Sequence, residues 1–574
     1  MLNPFALSDR KGRGFFKGRV AFSPAALFAL SEPGVWYDPS DLSTLFQDTA
    51  GTQPITSPGQ SVALALDKSK GLALGPEVIT NGDFSAGATG WTLGTGWTIS
   101  GGVATHTGTA SGNLAQSPLV AGRAYRITMN VTNGTVNVYA GSSSFVLNLT
   151  GNINLILIAS SSQVFIQSAI DGVTVDNVSY RELAGNHATQ ATAASRPIYE
   201  IEPSTGRRNL LTYTEQFDNA AWTKTDASIS QNVISAPDGT TSADKITYNV
   251  GAGTGRVQQT LASVVAPYTF SFYAKAAELT KVSVRSDVGL AFRGCIFDLN
   301  AKTATVGEYF TSSSIQELGG GWFRCSCTAT PSGVKSVQWQ ITNNGTGITG
   351  DGTSGIYIWG AQLETGSTAT AYQKVVSQYD VTEAGVPSLP YLSFDGVDDF
   401  LVTPTITPGI DKVQVFAGVR KLSDAAAACI AEFSALYSSN NGSFFLQQGG
   451  LFNVDRLNFA IEARGSANAW TQVRQYTSPF TAVLAANLDL SRSTSADELS
   501  LRINGGNGAI VTNSVSEAGT GNFLAYPLYI GRRGGTSLPF NGRIYGLITR
   551  FGANLTADQI AATETWMNQR TGAY

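Results

Sequence analysis

The chain has 574 residues, of which 62 are glycine and only 14% are Asp, Glu, Lys or Arg. Hydrophobic residues make up 42%, which excludes a disordered polar tract, and a net charge of −4 lacks the basic footprint of a nucleic-acid binder. Two histidines and four cysteines exclude most metal-hydrolase and zinc-finger layouts, and the length predicts about three or four domains.

In chain order, the first segment is basic. Arg10, Lys11, Arg13, Lys17 and Arg19, with Phe15 and Phe16 among them, precede a short apolar run from Ala21 to Leu30. This imitates a signal peptide. However, Ser23-Pro24 splits the run and reads as a helix N-cap followed by proline at the first helical position. No small-x-small cleavage pattern follows cleanly. Residues 1–33 therefore read as a basic N-terminal arm that orders on a partner. No stretch reaches the roughly 20 apolar residues that span a bilayer, so membrane insertion is not expected.

From Val78 onward nearly everything reads as short strands between turns. Ala124–Val131, Tyr268–Tyr273 and Lys412–Phe416 alternate apolar with polar or small residues, the period of a half-buried strand. Asn81-Gly82, Asp171-Gly172, Asp238-Gly239, Asn344-Gly345, Asp395-Gly396, Asn441-Gly442 and Asn541-Gly542 read as tight turns. Strands at this spacing predict sandwiches. The last element is a helix: Thr556-Ala-Asp-Gln559 is a capping box, Ile560, Trp566 and Met567 supply an apolar side, and Gly572 follows the end. The fold class expected is thus all-β, several β-sandwich (jelly-roll) domains with a short N-terminal arm and one C-terminal helix.

The cysteines do not form a disulfide framework. Cys325 and Cys327 share one strand face and make a poor pair with each other. Cys295 pairs with one of them if the strands abut; otherwise Cys295, Cys325, Cys327 and Cys429 are buried thiols.

There is an internal echo. Phe84 precedes Trp91, Phe217 precedes Trp222, and each unit closes in an apolar strand, Gly172–Val178 and Gly355–Gly360. This predicts two related sandwiches, about 76–183 and 208–376, and a third β region over 378–574.

These residues resemble known families. Asn81-Gly-Asp-Phe84 with Gly90-Trp91 and Val175-Asp-Asn-Val178 resembles the jelly-roll carbohydrate-binding modules attached to many glycanases. Asn209-Leu-Leu211, Phe217–Trp222 and Ile358–Glu364 resemble a jelly roll common in bacteriophage tail and capsid fibre proteins. Leu392–Leu401, with Leu555–Ile560 and Trp566, resembles the concanavalin A-like (laminin G-like) sandwiches of the same virion proteins; Gly34–Leu42 and Gly185–Gln190 match that pattern too. The resemblance implies one discontinuous concanavalin A-like domain from 34–71, 185–205 and 378–574, with jelly rolls 76–183 and 208–376 inserted at loop tips. Such insertion is thermodynamically mild, because closure entropy grows slowly with loop length. The alternative is a plain string of three sandwiches.

The chemistry follows from residue types. Sandwich glycanases carry Glu-x-Asp-x-x-Glu on one strand, and that pattern is absent. Glu200-Ile-Glu202 puts two carboxylates on one strand face but ends at Pro203. No Ser/His/Asp triad is arguable; His106 reads as a surface residue and His187 as a structural hydrogen-bonder. No catalytic residue and no required cofactor is expected. The jelly-roll resemblance implies a structural calcium held by Asp83 and Asp176; the bland reading is that Asp83 caps a turn and Asp176 is at the surface. Sugar binding needs exposed aromatic planes beside polar partners. Trp97, Tyr357 and Trp359 are the candidates, with Trp97 expected to be exposed; Trp91 and Trp222 read as core. Tyr357 and Trp359 share one strand face, which is either core or ligand-facing.

The expectation is a non-enzymatic bacteriophage structural protein, a fibre, spike or decoration on tail or head. Arg10, Lys11, Arg13, Phe15, Phe16, Lys17 and Arg19 would anchor it to other virion proteins (capsid, tail or baseplate), and its modules would bind host surface polysaccharide. Resemblance implies a homotrimer located in the virion; no nucleic-acid partner is expected. The alternatives are a capsule polysaccharide depolymerase and a secreted bacterial carbohydrate-binding adhesin.

Overall fold

A computed structural model of the chain describes residues 22–204, 209–251, 255–261, 267–286, 294–308, 310–329, 335–341, 349–376, 387–450, 456–492, 494, 498–508, 511–514 and 516–574. The protein is all-β, built of several β-sandwich domains with one C-terminal helix. It divides into two compact units: Met1–Glu200 with Pro390–Tyr574, and Ile201–Leu389.

In the first unit, one sheet of seven strands runs in the order Ile198–Pro203, Ser388–Asp395, Asn541–Phe551, Lys412–Lys421, Phe480–Asp489, Leu499–Ile503, with Gly34–Tyr37 also paired to Asn541–Phe551. A second, ten-stranded sheet takes the short strands Leu45–Phe46, Leu64–Ala65, Ala188–Thr189, Leu401–Val402 and Leu528–Ile530, then the longer Ala428–Phe433, Ser443–Gln448, Asn458–Arg464 and Asn468–Arg474, and ends on the short Val511–Asn513. The two sheets face each other through aromatic rings: Phe551 of the first lies 4.8 Å from Phe433 and 6.3 Å from Phe444 of the second. Phe433, Phe444, Ile461 and Val473 are fully buried, and the strands Ala428–Phe433 and Ser443–Gln448 that carry the first two are buried on both faces.

The C-terminal helix, Ala557–Thr571, forms as the capping box predicts, with Thr556 and Gln559 exchanging hydrogen bonds and Gly572 left-handed at φ 57°. Its Trp566 and Met567 are buried beside Trp36, Phe416 and Ile548. Gly418 lets it sit close to the sheet, because a Cβ there would stand 2.5 Å from the Thr571 methyl and 2.8 Å from the Met567 sulfur. Ser23 and Pro24 start a 3-10 helix, Pro24–Phe28, as the sequence suggests. Its Leu27 and Phe28 enter the same apolar cluster, and Glu32 pairs with Arg550 at 2.7 Å. Residues 22–32, read from sequence as part of the arm, are therefore docked on the sandwich, because their apolar side chains find this cluster.

Still in the first unit, strands between Leu74 and Leu183 form a nine-stranded sheet organised around the long strand Ala124–Ala140. Phe84, Trp91, Tyr125 and Tyr180 fill its core.

The second unit stacks two six-stranded sheets. One contains Thr223–Thr225, Arg256–Leu261, Lys335–Ile341, Lys281–Ser286, Cys295–Asp298 and Thr303–Thr305. The other runs Ala227–Ile234, Ala243–Tyr248, Gly355–Thr365, Tyr268–Ala276, Trp322–Ala329, Phe310–Gly319. Phe272 of the latter meets Phe297 of the former edge to face at 5.7 Å, and Trp222 is buried in this core. All four cysteines are buried and free, so Cys295 forms no disulfide with Cys325 or Cys327.

Most predicted turns hold: Gly172, Gly239, Gly396 and Gly442 have positive φ. Asn541-Gly542 does not form a turn. It opens the strand Asn541–Phe551 and pairs with Asp395 and Phe394, because this strand lies between two partners and its pairing begins there. Asn344-Gly345 lies outside the described residues.

Candidate functional site

The site is built on the outer face of the second unit's last-named sheet, the face turned away from the core. Its central strand, Gly355–Thr365, changes phase midway. Ile356 and Ile358 point into the core, but so do Ala361 and Leu363. The shift is a β-bulge: Ser271 pairs with Gln362, whereas Tyr273 pairs with Trp359. Gly360 takes the left-handed conformation at φ 60°, and a Cβ on it would stand 2.9 Å from the Tyr273 ring. The extra residue puts Tyr357, Trp359 and Gln362 on one outer face.

An aromatic ridge results. Trp359 contacts Tyr273 at 5.1 Å and Tyr372 at 4.9 Å between ring centroids, and Tyr273 meets Tyr372 at 5.9 Å. Trp322 and Tyr357 pack in the same cluster. Trp359 and Trp322 are its buried base, at 4% and 5% exposure, while Tyr273, Tyr357 and Tyr372 are half-buried and reach the surface. Burial raises the phenol of Tyr273 above its ordinary value. Of the sequence candidates, then, Tyr357 stands at the surface, and Trp359 is corrected from a sugar-facing ring to its support. Its indole N–H is spent on the Ser242 hydroxyl at 2.9 Å.

Two polar hollows flank the ridge. One, of about 260 Å³, lies over the strands Phe310–Gly319 and Trp322–Ala329, where Ser312, Ser314, Ser326, Thr269 and Thr328 supply hydroxyls and Arg324 the charge. The Arg324 guanidinium stacks on Tyr273, 5.6 Å from the ring centroid, and donates to the Ser271 hydroxyl at 3.1 Å and to the Thr370 carbonyl. The other hollow, of about 310 Å³, is walled by Glu215, Asp218, Gln231, Ser242 and Lys374. Glu215 accepts hydrogen bonds from Tyr372 at 3.1 Å and Lys374 at 2.6 Å. Behind it Asp244 is lifted to about 6, chiefly by burial, against bonds from the Asn232 and Phe217 amides. Apolar planes beside hydroxyl, amide and charged groups match the apolar faces and polar edges of pyranose rings. Tyr273, Tyr372 and Arg324 were missed in the sequence; only the Tyr-x-Trp-Gly run marked the place.

The remaining candidates fall elsewhere. Trp97 is not exposed: it is buried at 4%, its indole N–H donates to the Gly112 carbonyl at 3.0 Å, and its ring meets His106 edge-on. His106, expected at the surface, is fully buried, with its ring nitrogens 3.0 Å from the Ile170 and Ala110 carbonyl oxygens. Both sit inside because each finds a carbonyl partner for its polar edge. His187 is a structural hydrogen-bonder: Nδ1 accepts from the Asp67 amide at 2.9 Å and Nε2 faces the Leu183 carbonyl. Asp83 is exposed and caps its own turn through the Ser85 amide and hydroxyl, while half-buried Asp176 bonds Asn177. Among the described residues neither joins a group of three His, Cys, Asp or Glu side chains. Such a group does occur at Asp395, Asp398 and Asp399, but these carboxylates serve local backbone amides and the Ser195 hydroxyl. Crowding there, above all burial, lifts Asp399 to about 7. Arg10, Lys11, Arg13, Phe15, Phe16, Lys17 and Arg19 lie outside the described residues.

A pair of carboxylates not evident in the sequence occurs in the first unit. Glu432 and Glu462 both pair across their strands with Phe445, so the three share one face. They are sealed: Glu432 is 0% and Glu462 1% exposed. Arg533 holds Glu432 at 2.8 Å and stacks over Phe445 at 4.2 Å, and the Tyr437 amide donates to Glu432 at 2.6 Å. Gln447 donates to Glu462. Burial lifts both acids, Glu462 to about 7, and Arg533 offsets only part of this at Glu432. Glu200 accepts from the Tyr391 hydroxyl at 2.8 Å.

No family model and no curated protein matches the chain. Among solved structures, the CBM40 module of Ruminococcus gnavus IT-sialidase, bound to α2,3-sialyllactose, is 14% identical over 27% of this chain and 83% of its own, with a TM-score of 0.21. The CBM22-1–CBM22-2 tandem of Paenibacillus barcinonensis Xyn10C is 11% identical over 52% of this chain and 99% of its own, with a TM-score of 0.20. Likenesses at this level assign nothing to the chain.

Proposed function

We propose that this protein is a non-enzymatic structural component of a bacteriophage virion, a fibre, spike or decoration of tail or head, that adsorbs to host surface polysaccharide. The reading of the particle rests on the motif resemblance of the jelly-roll and concanavalin A-like segments. Recognition of sugar rests on one observation: a ridge of half-exposed tyrosines, Tyr273, Tyr357 and Tyr372, flanked by hydroxyl- and charge-lined hollows on one sheet face. Shallow sites of this kind bind weakly, and many copies on one particle convert weak sites into avidity. The basic N-terminal arm would dock other virion proteins, and a trimer is the oligomer the resemblance implies.

The test is adsorption of fluorescent full-length protein, multimerised on beads, to host cells before and after their surface polysaccharide is stripped. Stripping abolishes binding in this account, and Tyr357→Ala lowers it severalfold. Binding that survives stripping contradicts it. The depolymerase alternative looks to Glu200 and Glu202 in the sequence; the structure adds a second carboxylate pair, Glu432 and Glu462, both fully buried. Release of reducing ends from capsule polysaccharide, lost in Glu462→Gln, is the result that would favour it.

A further inference from the structure

The hollow beside Tyr273 carries an unusual charge state. Arg324 lies in it half-buried, and no carboxylate among the described residues pairs with it. Its Nε is buried with no hydrogen-bond partner among those residues. Lys275, two residues beyond Tyr273 on the same strand face, is paired across the strands with Trp322 and Tyr357 and likewise forms no ion pair there. Four other lysines of the unit, Lys245, Lys281, Lys302 and Lys374, each hold a carboxylate, and Lys224 donates to the Asp218 and Asn219 carbonyls. Glu364 is buried and occupied by Gln362 and by the amide and hydroxyl of Thr370.

A half-buried guanidinium without a counter-ion is costly unless a ligand supplies the anion. Its orientation is already fixed by Tyr273, Ser271 and the Thr370 carbonyl, so little side-chain freedom is lost when a planar anion binds. We infer that the hollow lined by Arg324, Ser312, Ser314 and Ser326, which Arg324 joins to Tyr273, binds a carboxylate-bearing sugar, a residue of an acidic polysaccharide, with the carboxylate on Arg324, the sugar's apolar face toward the tyrosine ridge, and Lys275 beyond Tyr273 adding positive charge on the same sheet face. This rests on the glycan-binding reading above and adds the ligand's charge and its chemical group.

The experiment uses full-length protein on a dense array carrying polygalacturonate, hyaluronate and polysialate, each beside its carboxyl-reduced form, together with neutral dextran and a phosphate-bearing teichoic acid. Binding should favour at least one carboxylated polymer over its reduced form by about tenfold, as expected for a charge-assisted hydrogen bond. It should weaken as NaCl rises from about 0.05 to about 0.5 M, as ionic attraction is screened. Arg324→Gln should remove that preference, Arg324→Lys should restore only part of it because the planar fork is lost, and Lys275→Gln, at a half-buried position beyond Tyr273, should reduce it with the melting temperature unchanged. Equal binding to acidic and reduced polymers, or an Arg324→Gln protein that folds and keeps the preference, overturns the inference and leaves the glycan reading standing. Preference for teichoic acid over every carboxylated polymer also overturns it, in favour of phosphate. Binding to no polymer of the array overturns both readings.

Discussion

An indole or imidazole is buried when its polar edge finds a carbonyl, and no rule of sequence spacing says whether it will. Trp97 and Trp359 both follow turn or strand signals that suit exposure, yet the Gly112 carbonyl takes one N–H and the Ser242 hydroxyl the other. Trp91 and Trp222, read as core from their place after Phe84 and Phe217, are core. The difference is that the Phe–Trp pairs are close in sequence, whereas Tyr273 and Tyr372 reach Trp359 from other elements. Arg324 was illegible for the same reason: its significance lies in its having no carboxylate partner among the described residues, which only the fold reveals. The same scale carries a pH prediction. Glu462 is held at about 7 chiefly by burial, beside Tyr437, Gln447, Glu432 and Arg533. A carboxyl whose folded value is raised stabilises the fold below its unfolded value, near 4.3, and loses that contribution as pH rises through the folded value. Glu462→Gln should therefore melt about 5 °C above the native protein at pH 8, with the gap closing toward pH 5. Calorimetry across that range checks it; parallel pH profiles for the two proteins would contradict it.

At the level of elements, period-2 alternation located strands such as Ala124–Ala140, Tyr268–Ala276 and Lys412–Lys421, because this signal is local. The C-terminal helix was legible to its caps, since Thr556, Gln559 and Gly572 act within one turn of the ends. The bulge in Gly355–Thr365 was not. Ile356-Tyr-Ile-Trp alternates cleanly, and nothing in Gly360-Ala-Gln-Leu states which neighbour skips a residue. Yet the bulge shapes the ridge, because at Gly360 the backbone makes room for the Tyr273 ring beside Trp359. Gly360→Ala meets both a left-handed backbone and the Tyr273 ring at 2.9 Å. It should lower stability by about 1–3 kcal/mol and lower polysaccharide binding more than Tyr357→Ala does. Denaturant melts and adsorption measured together test this. Undiminished binding at native stability would mean that the ridge does not depend on the bulge.

For the whole molecule, composition was informative by exclusion. Low charge, abundant glycine and few histidines pointed to an all-β chain, and the sandwich class follows from strand spacing. What composition hid is the division of labour between faces. Among the described residues the inner faces carry the buried apolar and aromatic clusters, and so carry stability. The outer face beside Tyr273 combines rings, hydroxyls and unpaired cations, which stability alone does not require. The central claim is that this face is the glycan contact. Hydrogen exchange of the full-length protein, with and without saturating host surface polysaccharide, tests it most directly. Protection should concentrate in Phe310–Gly319, Trp322–Ala329 and 367–373, with the 74–183 module unchanged. Protection confined to the 74–183 module or to the first unit's sheets, with these segments unaltered, would contradict it.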